Sequence, residues 1–293
     1  MSDRKMVLVT GATGQQGGAT ARALLERGVR VRGVTRKADS EASRALVALG
    51  AEMVSADYAD PVSLGAAMEG ADSVFAVATP FEAGVEAETA QGIALVEAAE
   101  AAGLSHFVYS SVANAGARTG VPHFESKYRV EQHLAASALK WTVIAPVYFM
   151  DNLFYPDALD GVRKGAYAIA LPPDVALQQI AVEDIGTFAA HVLTHADAFA
   201  GQRIDIAGDE LSSRESAQIL SDTLGRPIST FEIPIDTIRS FSEDLALMYE
   251  WFARKGYSVD IDGLRSSYPA VSWTRFAEFA ERLPGVLDDG PPA

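Results

Sequence analysis

The chain contains no cysteine. That absence excludes a disulfide framework, thiolate zinc sites, iron–sulfur ligation and a cysteine nucleophile. No apolar run approaches the roughly 20 residues that a membrane-spanning helix needs. The opening stretch MSDRKMVLVTGATG carries two basic residues, but its apolar part is only MVLV before a glycine turn. It reads as a first strand rather than a signal peptide, and a cytoplasmic protein is expected. There is no Gly-Lys-Ser/Thr, which excludes a P-loop, and no Gly-x-Ser-x-Gly to support hydrolase chemistry. Basic residues are scarce, with 24 Lys and Arg against 39 Asp and Glu and a net charge of −15. An acidic body repels phosphate backbones and argues against a nucleic-acid partner. The exception is residues 1–50, where nine Lys and Arg face four Asp and Glu. This basic first sixth has room for a small polyanion, although Arg22, Arg27 and Arg44 read as solvated helix charges.

What is present is alternation. KMVLVT (5–10), VRVRGVT (29–35), AEMVSAD (51–57), DSVFAVAT (72–79), HFVYSS (106–111) and WTVIAP (141–146) read as strands. Between them, helices are predicted over Gln15–Arg27, Ala42–Leu49, Pro61–Met68, Gly84–Ala102 and Phe124–Ala136. No Asn-Gly or Asp-Gly hairpin signal interrupts this first half. The fold class is therefore α/β, a Rossmann-type doubly wound parallel sheet covered on both faces. After Pro146 the pattern loosens. It recovers with a helix near Val182–Thr194, a strand at 203–208, a helix near Ser213–Leu224, the run FEIPI, and a helix through Tyr249 and Trp251. The expected layout is a nucleotide-binding domain over 1–148, completed by about 180–208. Segments 149–179 and 209–293 would form a small C-terminal substrate lobe, and the tail DDGPPA is expected to fray.

Gly11-Ala12-Thr13-Gly14-Gln15-Gln16-Gly17-Gly18 lies between the first strand and the first helix. Gly11 permits the turn, Gly14 lets a pyrophosphate approach the backbone, and Gly17 lets the helix pack on the sheet. The helix then aims its first N–H groups at the phosphates. Strand two ends in Thr35-Arg36-Lys37, with no acid before Asp39. An acid there would take the ribose 2′-hydroxyl of NAD, whereas Arg accommodates a 2′-phosphate, so NADP(H) is the expected cofactor. A second reading has Arg36 stack on adenine without selecting the phosphate. Asp57 and Tyr58 are placed to touch the adenine edge, and Ala78-Thr79-Pro80-Phe81 to line the other side of the cofactor.

TGATGQQGG, TRK, the stretch from His106 to Leu134, VIAPVYFMDN, QIAVEDIG (179–186) and GYSVDIDGLR (256–265) together resemble the NmrA-like group of atypical short-chain dehydrogenases/reductases. The resemblance implies a Rossmann domain with a small lobe closing a cleft over the nicotinamide. Members of the group include NADPH-dependent quinone reductases, triphenylmethane reductase and NADP(H)-sensing regulators. Typical short-chain dehydrogenases carry Tyr-x-x-x-Lys after strand five, with a serine upstream. By resemblance, Lys127 takes the lysine place, Ser110 the serine place and His123 the tyrosine place. Lys127 would hold the nicotinamide ribose. His123 is either a proton donor near neutral pH or a plain loop residue, and it shares a helix face with Lys127 only if the helix already includes it beside Pro122. Tyr128 is one step round the helix, about 100° from Lys127, and does not restore the motif. Pro146, Tyr148 and Phe149 are expected at the nicotinamide, with Tyr148 and Asn152 toward the substrate.

His191 and His195 have a zinc-compatible spacing but no third ligand, and no metal is expected. His106 and His133 read as capped or surface residues. Phe149, Phe154, Tyr155, Tyr249, Trp251 and Phe252 either wall an apolar cleft or are plain core. Two functions stay open. One is an NADPH-dependent oxidoreductase transferring hydride to a flat apolar acceptor such as a quinone or conjugated carbonyl. The other is a non-catalytic NADP(H)-sensing regulatory protein acting through a protein partner. The expected partners are a small apolar substrate, no nucleic acid and no membrane, with a homodimer or a regulatory protein partner open.

Overall fold

A computed structural model describes residues 5–289, and the expectation for the end of the tail lies outside them. Six strands alternate with five helices in the first half: β1 Met6–Val9, α1 Gln15–Glu26, β2 Arg30–Thr35, α2 Glu41–Ala48, β3 Glu52–Ser55, α3 Pro61–Met68, β4 Ser73–Ala76, α4 Val85–Ala101, β5 His106–Ser110, α5 Pro122–Ala136 and β6 Trp141–Pro146. Strands β1 to β6 pair in parallel. A seventh strand, β10 (Gln202–Ile206), joins beside β6 and gives the order β10-β6-β5-β4-β1-β2-β3. The chain runs outward from β1 to β3, then returns to lay β4 on the other side of β1. Such a reversal opens a crevice at the carboxyl ends of β1 and β4, where ligands of doubly wound sheets bind.

The strands follow their composition. MVLV, SVFA and HFVYS are buried at every position, as interior parallel strands covered on both faces must be. The edge strand β3 exposes both its ends. Leu8, Val74, Phe107 and Val143 on the sheet pack with Leu64, Leu95, Val96 and Leu134 from the helices in one core cluster. Helix starts are set by ordinary capping. Asp60 accepts the Val62 N–H at 3.0 Å ahead of Pro61, and Ser40 accepts the Ser43 N–H at 3.2 Å.

Two strands are shorter than their apolar runs. The Thr10 hydroxyl accepts the Val77 N–H at 2.8 Å, so a side chain takes the place of the next ladder bond and β4 stops at Ala76. Strand β3 stops at Ser55 because the Asp57 N–H turns to the Ser63 hydroxyl at 3.1 Å. Helix α5 starts earlier than its apolar period suggests, at Pro122, where the missing N–H costs nothing.

The chain separates into two compact units. One contains the segments up to Ala117, Pro122–Ala145 and Ile185–Asp205. The other contains Arg118–Val121, Pro146–Asp184 and the chain from Ile206 onward. The loose stretch after Pro146 belongs to the second unit and is more regular than it reads. It carries β7 (Tyr148–Phe149), a 3₁₀ turn over Met150–Phe154, α6 (Pro156–Arg163), β8 (Ala166–Ile169) and β9 (Ala176–Ile180). Helix α7 (Val182–Thr194) follows, and after β10 come β11 (Asp209–Ser212) and β12 (Ser229–Glu232). Strands of two to five residues are too short for a period to show. They form the small sheet β11-β9-β7 and the pair β12-β8. Trp251 and Phe252, 7% and 2% exposed, are core of this unit rather than cleft wall. Among the described residues, no helix is long and apolar enough to cross a membrane.

Candidate functional site

The candidate residues of the first unit gather at the carboxyl ends of β1 to β5. Gly11 adopts φ +58°, a left-handed conformation that glycine takes without penalty. Its N–H donates to the Tyr58 hydroxyl at 2.9 Å. A Cβ on Gly17 would stand 2.2 Å from the Gly11 carbonyl oxygen and 2.6 Å from that of Thr10, so α1 presses on the turn where no side chain fits. A Cβ on Gly14 would meet only the Gly11 oxygen, at 3.3 Å, and Gly14 faces solvent. Gly14 is the N-cap of α1, which has no side-chain cap and no acidic residue in its first turn. The first N–H groups of a helix lack intrahelical acceptors and carry its positive dipole end. An exposed backbone corner beneath an uncapped helix start has the shape and charge a pyrophosphate requires.

Three neighbouring segments border this corner. Thr13 and Thr35 bring their hydroxyls to 3.4 Å, and the Thr35 hydroxyl accepts the Lys37 N–H at 3.2 Å. Arg36 and Lys37 are exposed. The Arg36 Nη2 lies 2.8 Å from both carboxylate oxygens of Glu82, a residue the sequence reading did not single out. Tyr58 is half-buried, with its hydroxyl tied to the glycine turn. Burial pushes that hydroxyl's pKa up. Asp57 stays exposed and accepts the Ala59 N–H at 2.9 Å. Ala78 and Pro80 are buried, Thr79 is exposed, and Phe81 is 72% exposed.

The ends of β5 and α5 are built differently. Ser110 is fully buried and donates to Gln16 Oε1 at 2.5 Å, joining two candidates from distant parts of the chain. Helix α5 includes His123, so His123 and Lys127 do share a face one turn apart. His123 is buried, edge-on to Phe124 at 4.9 Å and tilted toward Phe81 at 6.2 Å. Tyr128 packs over Gly116, away from that face. Lys127 is also buried. Its Nζ lies 2.9 Å from Glu88 Oε1, donates to the Ala78 carbonyl at 3.0 Å, and sits 5.9 Å over the Tyr109 ring. Glu88 is fully buried and also accepts from the Ser126 hydroxyl. The Ala78 carbonyl takes one ammonium proton of Lys127, while Glu88 Oε1 faces the ammonium as an ion pair without a hydrogen bond, so donors are left for a ligand. Glu88 was legible: with Gly92, Leu95, Val96 and Ala99 it falls on the one buried face of α4, where a lone acid requires a partner.

In the second unit, the Tyr148 hydroxyl lies 3.5 Å from that of Tyr249. Burial pushes the pKa of both phenols up. Tyr148, Asn152, Tyr167 and Gln179 line a cavity of about 30 Å³, enough for one water and too small for a substrate. Pro146 is buried and Phe149 half-buried. In the first unit, the rings of His191 and His195 lie 4.4 Å apart and tilted by 36° at the end of α7, and His195 Nδ1 is 2.8 Å from the His191 carbonyl. Among the described residues no group of three or more His, Asp or Glu is arranged to hold a metal.

Comparison with known proteins gives three results. Residues 3–281 match the NmrA-like family. An NAD(P)H azoreductase of Xenophilus azovorans is 31% identical over 233 residues, spanning 79% of this chain and 78% of that protein. Two solved structures share the fold at 20% identity. The triphenylmethane reductase of a Citrobacter species, complexed with NADP(H), superposes with a TM-score of 0.81 over 95% of this chain and 99% of its own. NmrA, a negative transcriptional regulator in complex with NADP, gives 0.79 over 98% of each.

Proposed function

The chain belongs to the NmrA-like family, and from that premise we propose that it is an NADPH-dependent oxidoreductase whose acceptor is flat and apolar, such as a quinone or a conjugated carbonyl. The observation that carries the reading is the corner at Gly14, exposed beneath an uncapped and acid-free helix start and locked in place by the contact at Gly17. These residues fit a dinucleotide. The α1 amides and Gly14 would hold the pyrophosphate. Arg36 would take the 2′-phosphate as a charge-assisted pair, and an ammonium donor of Lys127 not used by the Ala78 carbonyl would serve the nicotinamide ribose. Ser110 fixes the Gln16 side chain at the mouth of the turn.

When bound, the nicotinamide supplies the hydride, and the protein supplies position and the exclusion of water. His123 would provide a proton where the reduced acceptor needs one. A quinone draws on water, so loss of the usual tyrosine acid is tolerable for that class. The names of two similar proteins support an aromatic acceptor, an azo compound for one and a triphenylmethane for the other.

A second reading, a non-catalytic NADP(H) sensor acting through a protein partner, is favoured by the confinement of Lys127 in a buried ion pair. Loss of NADPH absorbance across a panel of quinones, enones and aldehydes separates the two. Turnover of at least one quinone is expected. Tight NADPH binding with no turnover on any acceptor would replace the enzyme with the sensor.

A further inference from the structure

The end of β2 lacks the acid that a site for NAD uses, yet a carboxylate occupies that neighbourhood. Glu82 belongs to the segment between β4 and α4, and Arg36 follows β2. Strand β1 lies between β2 and β4, so both segments emerge beside the glycine turn. The ion pair runs from one Arg36 nitrogen, Nη2, to both Glu82 oxygens at 2.8 Å. Both side chains are largely exposed, 68% for Arg36 and 58% for Glu82, so the pair adds little to folding. Glu82 raises the pKa of Arg36, first by hydrogen bonding and then by charge, and Asp57 adds a smaller contribution.

We propose that Glu82 sets cofactor selectivity: its carboxylate opposes the 2′-phosphate of NADP(H) at Arg36 and accepts a hydrogen bond from the 2′-hydroxyl of NAD(H). A phosphate reaching Arg36 must displace Glu82 or sit beside a like charge. A ribose hydroxyl meets no such opposition, because it can donate to a carboxylate that Arg36 already orients. Sequence position supplies the NADP selector, and a distant loop supplies the NAD selector that position lacks.

The inference rests on nucleotide binding at the glycine turn. The test is titration calorimetry of the wild type, Glu82→Gln and Glu82→Ala with NADPH, NADH, 2′,5′-ADP and 5′-AMP. Glu82→Gln should tighten NADPH and 2′,5′-ADP by about three- to fivefold, the scale of one exposed charge pair. It should weaken both 5′-AMP and NADH, which share the free 2′-hydroxyl, by up to about threefold. The gain should shrink as salt rises. Equal shifts for the phosphorylated and unphosphorylated ligands would reduce Glu82 to a general structural role and overturn the proposal, as would no shift at all. A wild type that binds none of the four ligands overturns the functional reading together with the inference. A wild type that binds NADPH but does not respond to Glu82→Gln overturns the inference alone.

Discussion

Gly14 and Lys127 belong to the same unit and to the same candidate site, yet their surroundings are opposite. Around Gly14 the backbone is exposed, the helix start has no cap, and Arg36 is held only by an exposed pair. Around Lys127 the groups are buried: Glu88 pairs with the ammonium as an ion and takes the Ser126 hydroxyl, and the Ala78 carbonyl takes an ammonium proton. The open end offers donors that only a ligand can use. The closed end is buried like a protein core, and its ammonium spends one hydrogen bond on the fold. Binding chemistry and fold stability are thus separable at the first end and entangled at the second.

The largest effect is expected where they are entangled. Lys127→Ala leaves the buried Glu88 carboxylate without its cation, which should cost about 3–5 kcal/mol of stability. Lys127→Met with Glu88→Gln should recover most of that loss, because no charge is then left uncompensated. Urea unfolding of the three proteins checks this. A silent Lys127→Ala would mean that Glu88 is solvated and the contrast with Gly14 is false.

The next contrast lies within the glycine turn. Gly17→Ala forces a methyl to within 2.2 Å of a backbone oxygen and should destabilise by about 2–3 kcal/mol or unfold the chain. Gly14→Val should fold, with a thermal midpoint near that of the wild type, and bind no NADPH, because its branched side chain fills the pyrophosphate's place. Binding retained by a folded Gly14→Val would show that the phosphates lie elsewhere.

A third prediction extends the closed character of β5 to its other end. His106 is buried, hydrogen-bonded to the Thr142 hydroxyl at 2.8 Å, and burial lowers its pKa to about 4. The unfolded state binds its proton below about 6.5, so this contribution is complete above that pH and is lost as pH falls toward 4. The loss should amount to about 1–3 kcal/mol. Asp184 acts in the opposite sense, since burial raises its pKa to about 6 and it favours folding as pH falls from 6 toward 3.8. The stability–pH slope of His106→Gln, compared with that of the wild type, isolates the histidine. Parallel curves would contradict its burial as neutral imidazole.

The smallest effect belongs to His123→Phe with quinone acceptors, where turnover should be almost unchanged. With aldehydes or ketones, whose alkoxide requires a proton, the rate should fall. Equal losses on both classes, measured at steady state, would make His123 part of the scaffold.

The difference between the two ends also explains what the sequence made legible. The turn from Gly11 to Gly17 could be read because each glycine answers a local demand of the backbone. The parallel sheet could be read because buried strands such as MVLV and HFVYS are continuous apolar runs. The partners of Lys127 and Arg36 come from segments 39 and 46 residues away in the chain, and local spacing does not report such pairings. Glu88 left a trace on its helix face, whereas Glu82, in an exposed turn, left none. In the second unit, β7 is two residues long, below the length at which alternation shows.

The central claim is that the open end selects a dinucleotide through its phosphates. Calorimetric titration of NADPH and NADH into the wild type and Arg36→Ala tests it most directly. NADPH should bind more tightly than NADH by on the order of tenfold, from one Arg–phosphate pair, and Arg36→Ala should erase most of the gap. Equal affinities in the wild type, or a gap that survives Arg36→Ala, would contradict it.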